Sequence, residues 1–168
     1  MNKVIACLVV VLIAISCKVS YSFKSTSIDY TKIKTIDIRD FQNQATNVYP
    51  PLAQEFNEHL KDVFTRNTKL QFVKNKAANL ELEGEITRYD IMPLAVQENA
   101  IASLTRLTMS VRIRFINNVN PAEDKEETFT AYRDFSSNKT LNEVQDDLIV
   151  ELKKDIVDQI FNATMANW

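Results

Sequence analysis

This chain of 168 residues has a single glycine, Gly84. A glycine-rich loop that cradles phosphate therefore cannot be formed, and the turns must be built from Asn, Asp, Pro and Ser. Histidine is equally scarce: His59 stands alone, and no serine or cysteine lies in a nucleophile motif around it. These absences argue against an enzyme, and we expect no cofactor and a structural role for His59.

Cysteine is also rare, since the chain has only Cys7 and Cys17. Cys7 lies in an apolar run, residues 4–16, that follows Lys3 and ends in small residues, the pattern of a secretory signal. The run is too short to cross a hydrocarbon core, which needs roughly 20 apolar residues. We therefore predict a signal peptide over residues 1–16 and cleavage before Cys17.

Cys17 would then be the only cysteine left, which excludes an intramolecular disulfide. Acylation of its thiol and of the new amino group explains an unpaired cysteine in an exported chain, and several acyl chains anchor a protein firmly to a membrane. Lys18 follows the cysteine, whereas an Asp there would favour retention at the inner membrane. We therefore expect release to the outer membrane. We expect residues 17–27 to be a lipidated tether and residues 28–168 to form a single domain.

Neither sign of charge dominates, with 20 basic and 22 acidic residues and a net charge of −2. There is no basic excess of the kind that nucleic acid attracts, so nucleic-acid binding is not expected. The adjacent Asp146 and Asp147 point about 100° apart on a helix, which favours a solvated face over a metal site. No metal is therefore expected.

Two amphipathic helices and several strands follow from periodicity. A strand is predicted over residues 33–38, a helix opens at Pro50 and Pro51, and Thr140 with Glu143 forms a capping box for a second helix. The predicted helix stripes are Leu52, Phe56, Leu60, Val63 and Phe64, and then Leu141, Val144, Leu148, Leu152, Ile156 and Ile160.

Residues 80–91 and 103–116 alternate apolar and polar side chains, which predicts strands with one wet face. As an antiparallel pair they match well when opposed residue numbers sum to 195, so that Glu83 faces Arg112. A slip by one residue would bring carboxylates into the core. Gly84 in mid-strand indicates a bend or a close backbone approach.

A short strand over residues 70–73 and a last strand over residues 128–135 complete the pattern. A sheet with one apolar face and two helices with apolar stripes bury each other best as two layers. The predicted fold class is α+β, a two-layer sandwich with a mostly antiparallel sheet of four to five strands packed by two helices.

A row of arginines is the most distinctive polar feature. Arg106, Arg112 and Arg114 share a strand face by parity, and Arg88 and Arg133 lie on nearby strands. Guanidinium groups bind phosphate bidentately, so a phosphorylated lipid head group is one candidate ligand for this row. Structural pairing with Glu81, Glu83 and Glu85 is the alternative.

The order of these features resembles the LptE family of outer-membrane lipopolysaccharide-assembly lipoproteins. The resemblance rests on Cys17, a strand, a proline-initiated helix, residues 80–89, residues 104–115 and a long acidic helix near the C-terminus. It implies a two-layer fold, an outer-membrane, lipid-anchored location on the periplasmic side, and a one-to-one position in the lumen of the β-barrel protein LptD. It also implies lipopolysaccharide binding through basic residues at the sheet-and-loop end, for which Arg106 and Lys139 are the candidates.

Two other functions fit the same residues. One is a lipid or glycolipid carrier acting alone in the periplasm, and the other is a pilot lipoprotein for a different outer-membrane channel. A carrier needs a cavity for acyl chains between helices and sheet, whereas a plug needs a packed core and a polar surface that suits the polar interior of a large barrel.

Overall fold

A computed structural model describes residues 28–47, 49–74, 77–94 and 104–166. The strands are β1 Thr35–Ile38, β2 Gln42–Asn43, β3 Gln71–Phe72, β4 Leu80–Pro93, β5 Leu104–Asn117 and β6 Lys125–Ser136. The helices are α1 Leu52–Asn67 and α2 Leu141–Phe161, with a 3₁₀ turn at Pro121–Glu123 and a π-helical turn at Asn162–Ala166. The predicted signal peptide, Cys17 and the tether lie outside the described residues.

The sheet is mixed and has six strands, which corrects the predicted four- to five-stranded, mostly antiparallel sheet. Its order is β3-β1-β4-β5-β6, and β2 also pairs with β4. β1 is parallel to β3 and to β4, because α1 returns the chain across the sheet between them. β4, β5 and β6 form an antiparallel meander.

Both helices begin where the sequence predicts. Pro51 directly precedes α1, and the carboxylate of Glu143 accepts hydrogen bonds from the backbone N–H and the hydroxyl of Thr140 before α2. These contacts satisfy groups that a helix N-terminus leaves without intrahelical partners. The helices meet through an edge-to-face contact between the Phe64 and Phe161 rings, whose centroids lie 5.3 Å apart.

The core lies between the helices and one face of the sheet. From α1, Leu52, Phe56, Leu60 and Phe64 are fully buried, as predicted. In α2 the predicted stripe is shifted, because Ile149 and Val157 are buried while Leu141, Val144 and Leu148 are only partly covered. From the sheet, the core includes Leu80, Leu82, Ile86, Leu107, Met109, Val111, Ile113 and Phe115.

The predicted register of β4 and β5 is wrong by two residues. Glu83 lies opposite Arg114, so opposed numbers sum to 197 instead of 195, and a bulge after Ile86 brings Arg88 opposite Ser110. Before the bulge, this shift by an even number leaves every side chain on its predicted face, so alternation alone cannot distinguish the two registers. Beyond the bulge the alternation of β4 is inverted, so Tyr89 lies on the core side and is buried, whereas Arg88 lies on the other face.

Candidate functional site

The face of the sheet turned away from the helices carries rows of polar side chains on its three long strands. We call it the open face. Its residues are Glu81, Glu83, Glu85, Arg88, Asp90 and Met92 of β4, Leu104, Arg106, Thr108, Ser110, Arg112 and Arg114 of β5, and Glu126, Thr128, Thr130, Tyr132 and Asp134 of β6.

Cross-strand ion pairs occupy one half of the open face. Arg112 pairs with Glu85, and Nη1 of Arg114 lies 3.4 Å from Oε1 of Glu83. Arg39 follows β1, and its guanidinium joins the row. Nη1 of Arg39 donates to Glu83, and Nη2 lies 3.0 Å from Oε2 of Glu81. Arginine and carboxylate therefore alternate over three strands, and this half of the face is nearly neutral.

A cleft of about 420 Å³ opens among these charges. Arg39, Arg112 and Arg114 line it together with Asp40, Glu83, Glu85 and Glu126. Four carboxylates outnumber three guanidinium groups there, so the cleft does not favour an isolated anion such as a free phosphate. Mixed charge instead suits a polar protein surface with its own charges of both signs.

At the other end of the open face, Arg106 is held by Asp134. Nε and Nη2 of Arg106 donate to the two carboxylate oxygens at 2.7 and 2.9 Å, and this contact keeps the pKa of Asp134 below its usual value. The guanidinium also lies 3.8 Å from the centroid of the Tyr132 ring, close enough for a cation–π interaction. Arg106 is thus rigidly positioned beside Met92 and Leu104, which are both exposed.

At the centre of the open face the β5 and β6 side chains are uncharged, and beside them on β4 Arg88 pairs with Asp90 at 2.9 Å. Thr108 and Ser110 are buried there, although no helix covers them, and Ser110 Oγ lies 2.8 Å from Thr130 Oγ1. The hydroxyl row of Thr128, Thr130 and Tyr132 extends the face onto β6.

Most of the predicted arginine row is brought together, with one exception. Arg88, Arg106, Arg112 and Arg114 share the open face, whereas Arg133 lies opposite Leu107 and bonds Glu151 and Asp155 of α2 on the helix side. Arg133 therefore links β6 to α2. Arg39 was not among the predicted site residues, although its parity with Thr35 and Asp37 on the first strand signals the same face.

Lys139 lies in the turn between β6 and α2, where its backbone N–H donates to the Ser136 carbonyl at 3.0 Å. Ser136 is opposite Leu104 across the β5–β6 pair, so Lys139 and Arg106 belong to the same end of the sheet. This end adjoins the loop 95–103, which lies outside the described residues.

His59 lies on α1 facing α2 and takes no part in the open face. Its burial, together with the nearby Lys153, lowers the pKa of the imidazole, and Nε2 has no hydrogen-bond partner among the described residues. Asp62 and Asp158 oppose this effect, Lys154 adds to it, and Lys153 itself bonds Glu55 at 2.8 Å. His59 is thus a residue of the helix–helix contact.

We expect the free energy of unfolding to fall as the pH drops from about 7.5 to about 5.5. Below the ordinary imidazole pKa of 6.5 the unfolded chain binds a proton that the folded protein resists, so protonation favours unfolding. Urea titrations at several pH values should show a weaker dependence for His59→Gln. The carboxyl groups with lowered pKa, such as Asp134, act only below this window, and an unchanged dependence in the variant would contradict the prediction.

Within the described ranges no cluster of three or more His, Cys, Asp or Glu side chains is arranged to hold a metal ion. Asp146 instead accepts a hydrogen bond from the hydroxyl of Tyr49 at 2.8 Å, and this contact raises the pKa of Tyr49 to about 12.

In the part of the chain with described coordinates, no helix is both long and apolar enough to cross a membrane.

Fold and open face together define a small α+β module, with one sheet face covered by two helices and the other presenting paired charges and hydroxyls. The family model described as LptE, lipopolysaccharide-assembly, matches residues 33–164, and the chain belongs to this family. The resemblance inferred from the sequence is therefore confirmed. No curated protein matches the chain in sequence.

Solved structures from two bacteria share this fold. A minor lipoprotein from Acinetobacter baumannii is 18% identical, with a TM-score of 0.53 over 80% of this chain and 92% of its own. A protein from Xanthomonas campestris is 10% identical, with a TM-score of 0.54 over 79% of this chain and 84% of its own. At such identities the likeness concerns the fold alone.

Proposed function

We propose that this protein is a non-catalytic outer-membrane lipoprotein that plugs an LptD-type β-barrel, assists its assembly and serves lipopolysaccharide transport to the outer leaflet. Acyl chains on Cys17 would hold it at the periplasmic side of the membrane while the domain enters the barrel lumen in a one-to-one complex. Membership of the lipopolysaccharide-assembly family supports this role.

The open face is the observation that carries the proposal. Large barrels have polar interiors, so a plug must present polar surface to the wall and keep its own core dry. The paired charges of this face, with Arg112 and Arg114 more than half exposed, suit such a wall at little desolvation cost.

A packed core favours the plug over a lipid carrier acting alone. Leu52 and Leu60 of α1, Leu152 of α2 and Met109 of β5 are completely excluded from solvent where the helices meet the sheet. An acyl chain would have to displace these side chains. Binding of lipopolysaccharide itself is assigned to the end with Arg106 and Lys139, where a fixed guanidinium adjoins exposed apolar side chains.

The test is co-purification from outer membrane solubilised in mild detergent. We expect the wild-type lipoprotein to recover the barrel in equal amounts, and recovery without any barrel would overturn the proposal. The double variant Arg112→Glu with Arg114→Glu should remain folded, because exposed pairs contribute only about 0.2–1 kcal/mol each. It should nevertheless lose most of the barrel, because the two new carboxylates repel the acidic groups of the wall that the arginines would have met.

A matched control reverses two charges on the helix layer. Arg66 and Lys154 each bond a residue four positions away on their own helix, so Arg66→Glu with Lys154→Glu changes the same amount of charge on the opposite side of the molecule. The control should keep the barrel. If the open-face variant is folded and binds like the control, this face is not the contact surface; if it only unfolds, pairing within the sheet is the role of these arginines.

A further inference from the structure

The two edges of the sheet are very different. One edge is β3, with two residues, and the other is β6, which runs for 12 residues. Short edge strands are protected against pairing with other chains, whereas a long edge offers a row of backbone groups to any extended segment. The β6 edge is therefore the place where this sheet can be extended.

The direction of the β6 backbone groups follows from the hydrogen bonds of β5. The carbonyls of Leu104 and Ser110 accept hydrogen bonds from β4 and its extension, at 2.9 Å from Leu94 N–H and 3.3 Å from Thr87 Oγ1. Even-numbered β5 residues thus face β4 and odd-numbered ones face β6, because backbone groups in an antiparallel strand alternate sides.

The register of β5 and β6 pairs odd residues with odd residues, for example Met109 with Ala131. The odd residues of β6 are consequently hydrogen-bonded inside the sheet, and the even ones direct N–H and C=O outward. The outward residues are Glu126, Thr128, Thr130, Tyr132 and Asp134. Within the described part of the chain, one hydrogen bond reaches this outer row: the Tyr132 carbonyl accepts from Arg133 Nη1 at 2.9 Å.

The side chains along this edge define what fits it. Residues 128–132 carry no charge and are mostly β-forming types, and Tyr132 is 51% exposed. At one end Arg133 and Asp134 are already neutralised by α2 and by Arg106. At the other end Glu126 and Glu127 have no ion pair within the described part of the chain, and the neighbouring Lys125 donates to the Ala163 carbonyl at 2.6 Å, so the net charge of this end is negative.

We propose that β6 accepts an extended segment of the barrel partner as a seventh strand, an inference that rests on the proposed function. The segment that fits carries Lys or Arg opposite Glu126 and Glu127, followed by uncharged β-branched, hydroxyl or aromatic residues along positions 128–132. Backbone hydrogen bonds supply the affinity in such strand addition, and the charged end fixes the register. Side chains of the added strand would continue the open face.

Amide hydrogen exchange at single-residue resolution tests this in the detergent-solubilised complex. In the free lipoprotein the amides of Thr128, Thr130 and Tyr132 should exchange quickly, while Phe129 and Ala131 are protected and serve as internal standards. In the complex, we expect exchange at the three outward amides to slow by at least about 100-fold, as for other ladder hydrogen bonds.

The outcomes separate the two proposals. A complex that forms without protecting the outward amides overturns strand addition and leaves the plug function standing. Absence of a complex overturns the plug function and strand addition together. Protection already present in the free protein, rising with its concentration, would identify a second copy of this chain as the occupant and overturn the partner assignment.

A pair of variants provides an independent readout. Thr128→Pro removes an outward N–H and adds a ring at the edge, yet costs no hydrogen bond to β5, so the domain should fold. It should reduce barrel recovery about tenfold, which corresponds to about 1.4 kcal/mol for the donor lost from a desolvated ladder. Thr128→Ala also removes the hydroxyl from the open face but keeps the backbone N–H, so it should recover clearly more barrel than Thr128→Pro; equal recovery with both variants contradicts the proposal.

Discussion

Replacing the only glycine, Gly84→Ala, should lower the free energy of unfolding by about 3 kcal/mol, the upper part of the range for overpacking a core. A Cβ at this position would lie 2.4 Å from Cε1 of Phe41 and 2.4 Å from the carbonyl oxygen of Arg112. Phe41 is fully buried and packs against Phe56, with ring centroids 5.5 Å apart, so neither ring has room to retreat. Thermal unfolding should shift down by roughly 6–12 °C.

A second substitution distinguishes this steric cause from a general loss of strand propensity. Phe41→Leu shortens the side chain over Gly84, so its cost combined with Gly84→Ala should be smaller than the sum of the two single costs. Coupling of this kind is expected only between residues in contact. Additive costs, or a Gly84→Ala variant within 0.5 kcal/mol of the wild type, would show that the close approach is not limiting.

The sequence already indicated that Gly84 marks a close approach, but it could not identify Phe41 as the group that approaches. Phe41 comes 43 positions earlier and follows β1, and its place over β4 depends on the parallel pairing of β1 and β2 with that strand. Parallel pairing was not predicted, because β2 is too short for a periodic signal and the short strand expected over residues 70–73 carries no sign of its direction or of its partner. The strong alternation of β4 and β5 was sufficient for the antiparallel part.

The sequence predicted which sheet face most of the candidate residues lie on, but not which residues they contact. Parity placed Arg106, Arg112 and Arg114 together, and an even-numbered register error left that result unchanged. Arg133 was misplaced, although its parity with Phe129, Ala131 and Phe135 already indicated the helix side, where it lies opposite Leu107. Side-chain parity is thus local information, while the pairing partner of each arginine depends on the register of two strands at once.

Asn57 should be one of the most sensitive polar residues of the domain. It lies on α1 next to Phe56, is 9% exposed, and is bonded to both backbone groups of Phe41. Its Oδ1 accepts from the Phe41 N–H at 2.8 Å, and its Nδ2 donates to the Phe41 carbonyl at 3.0 Å. Asn57→Ala leaves a buried donor and a buried acceptor unpaired, which we expect to cost about 2–5 kcal/mol.

The matched control for that substitution is Gln54→Ala on the exposed side of the same helix. It changes helix propensity in a similar way, and its side chain bonds only the exposed Glu58. Urea unfolding should therefore place Gln54→Ala within about 0.5 kcal/mol of the wild type. An Asn57→Ala variant equally close to the wild type would mean that water replaces the amide, and that Asn57 does not hold Phe41 in place.

Asn57→Asp adds a test of sign. At neutral pH the new carboxylate can accept from the Phe41 N–H but repels the Phe41 carbonyl, and burial makes its charge costly. Once protonated, the carboxyl can both accept and donate as the amide does, so its folded pKa should lie above its unfolded value. The stability deficit relative to the wild type should therefore shrink as the pH falls from about 7.5 to about 4.5, whereas the deficit of Asn57→Ala should stay constant.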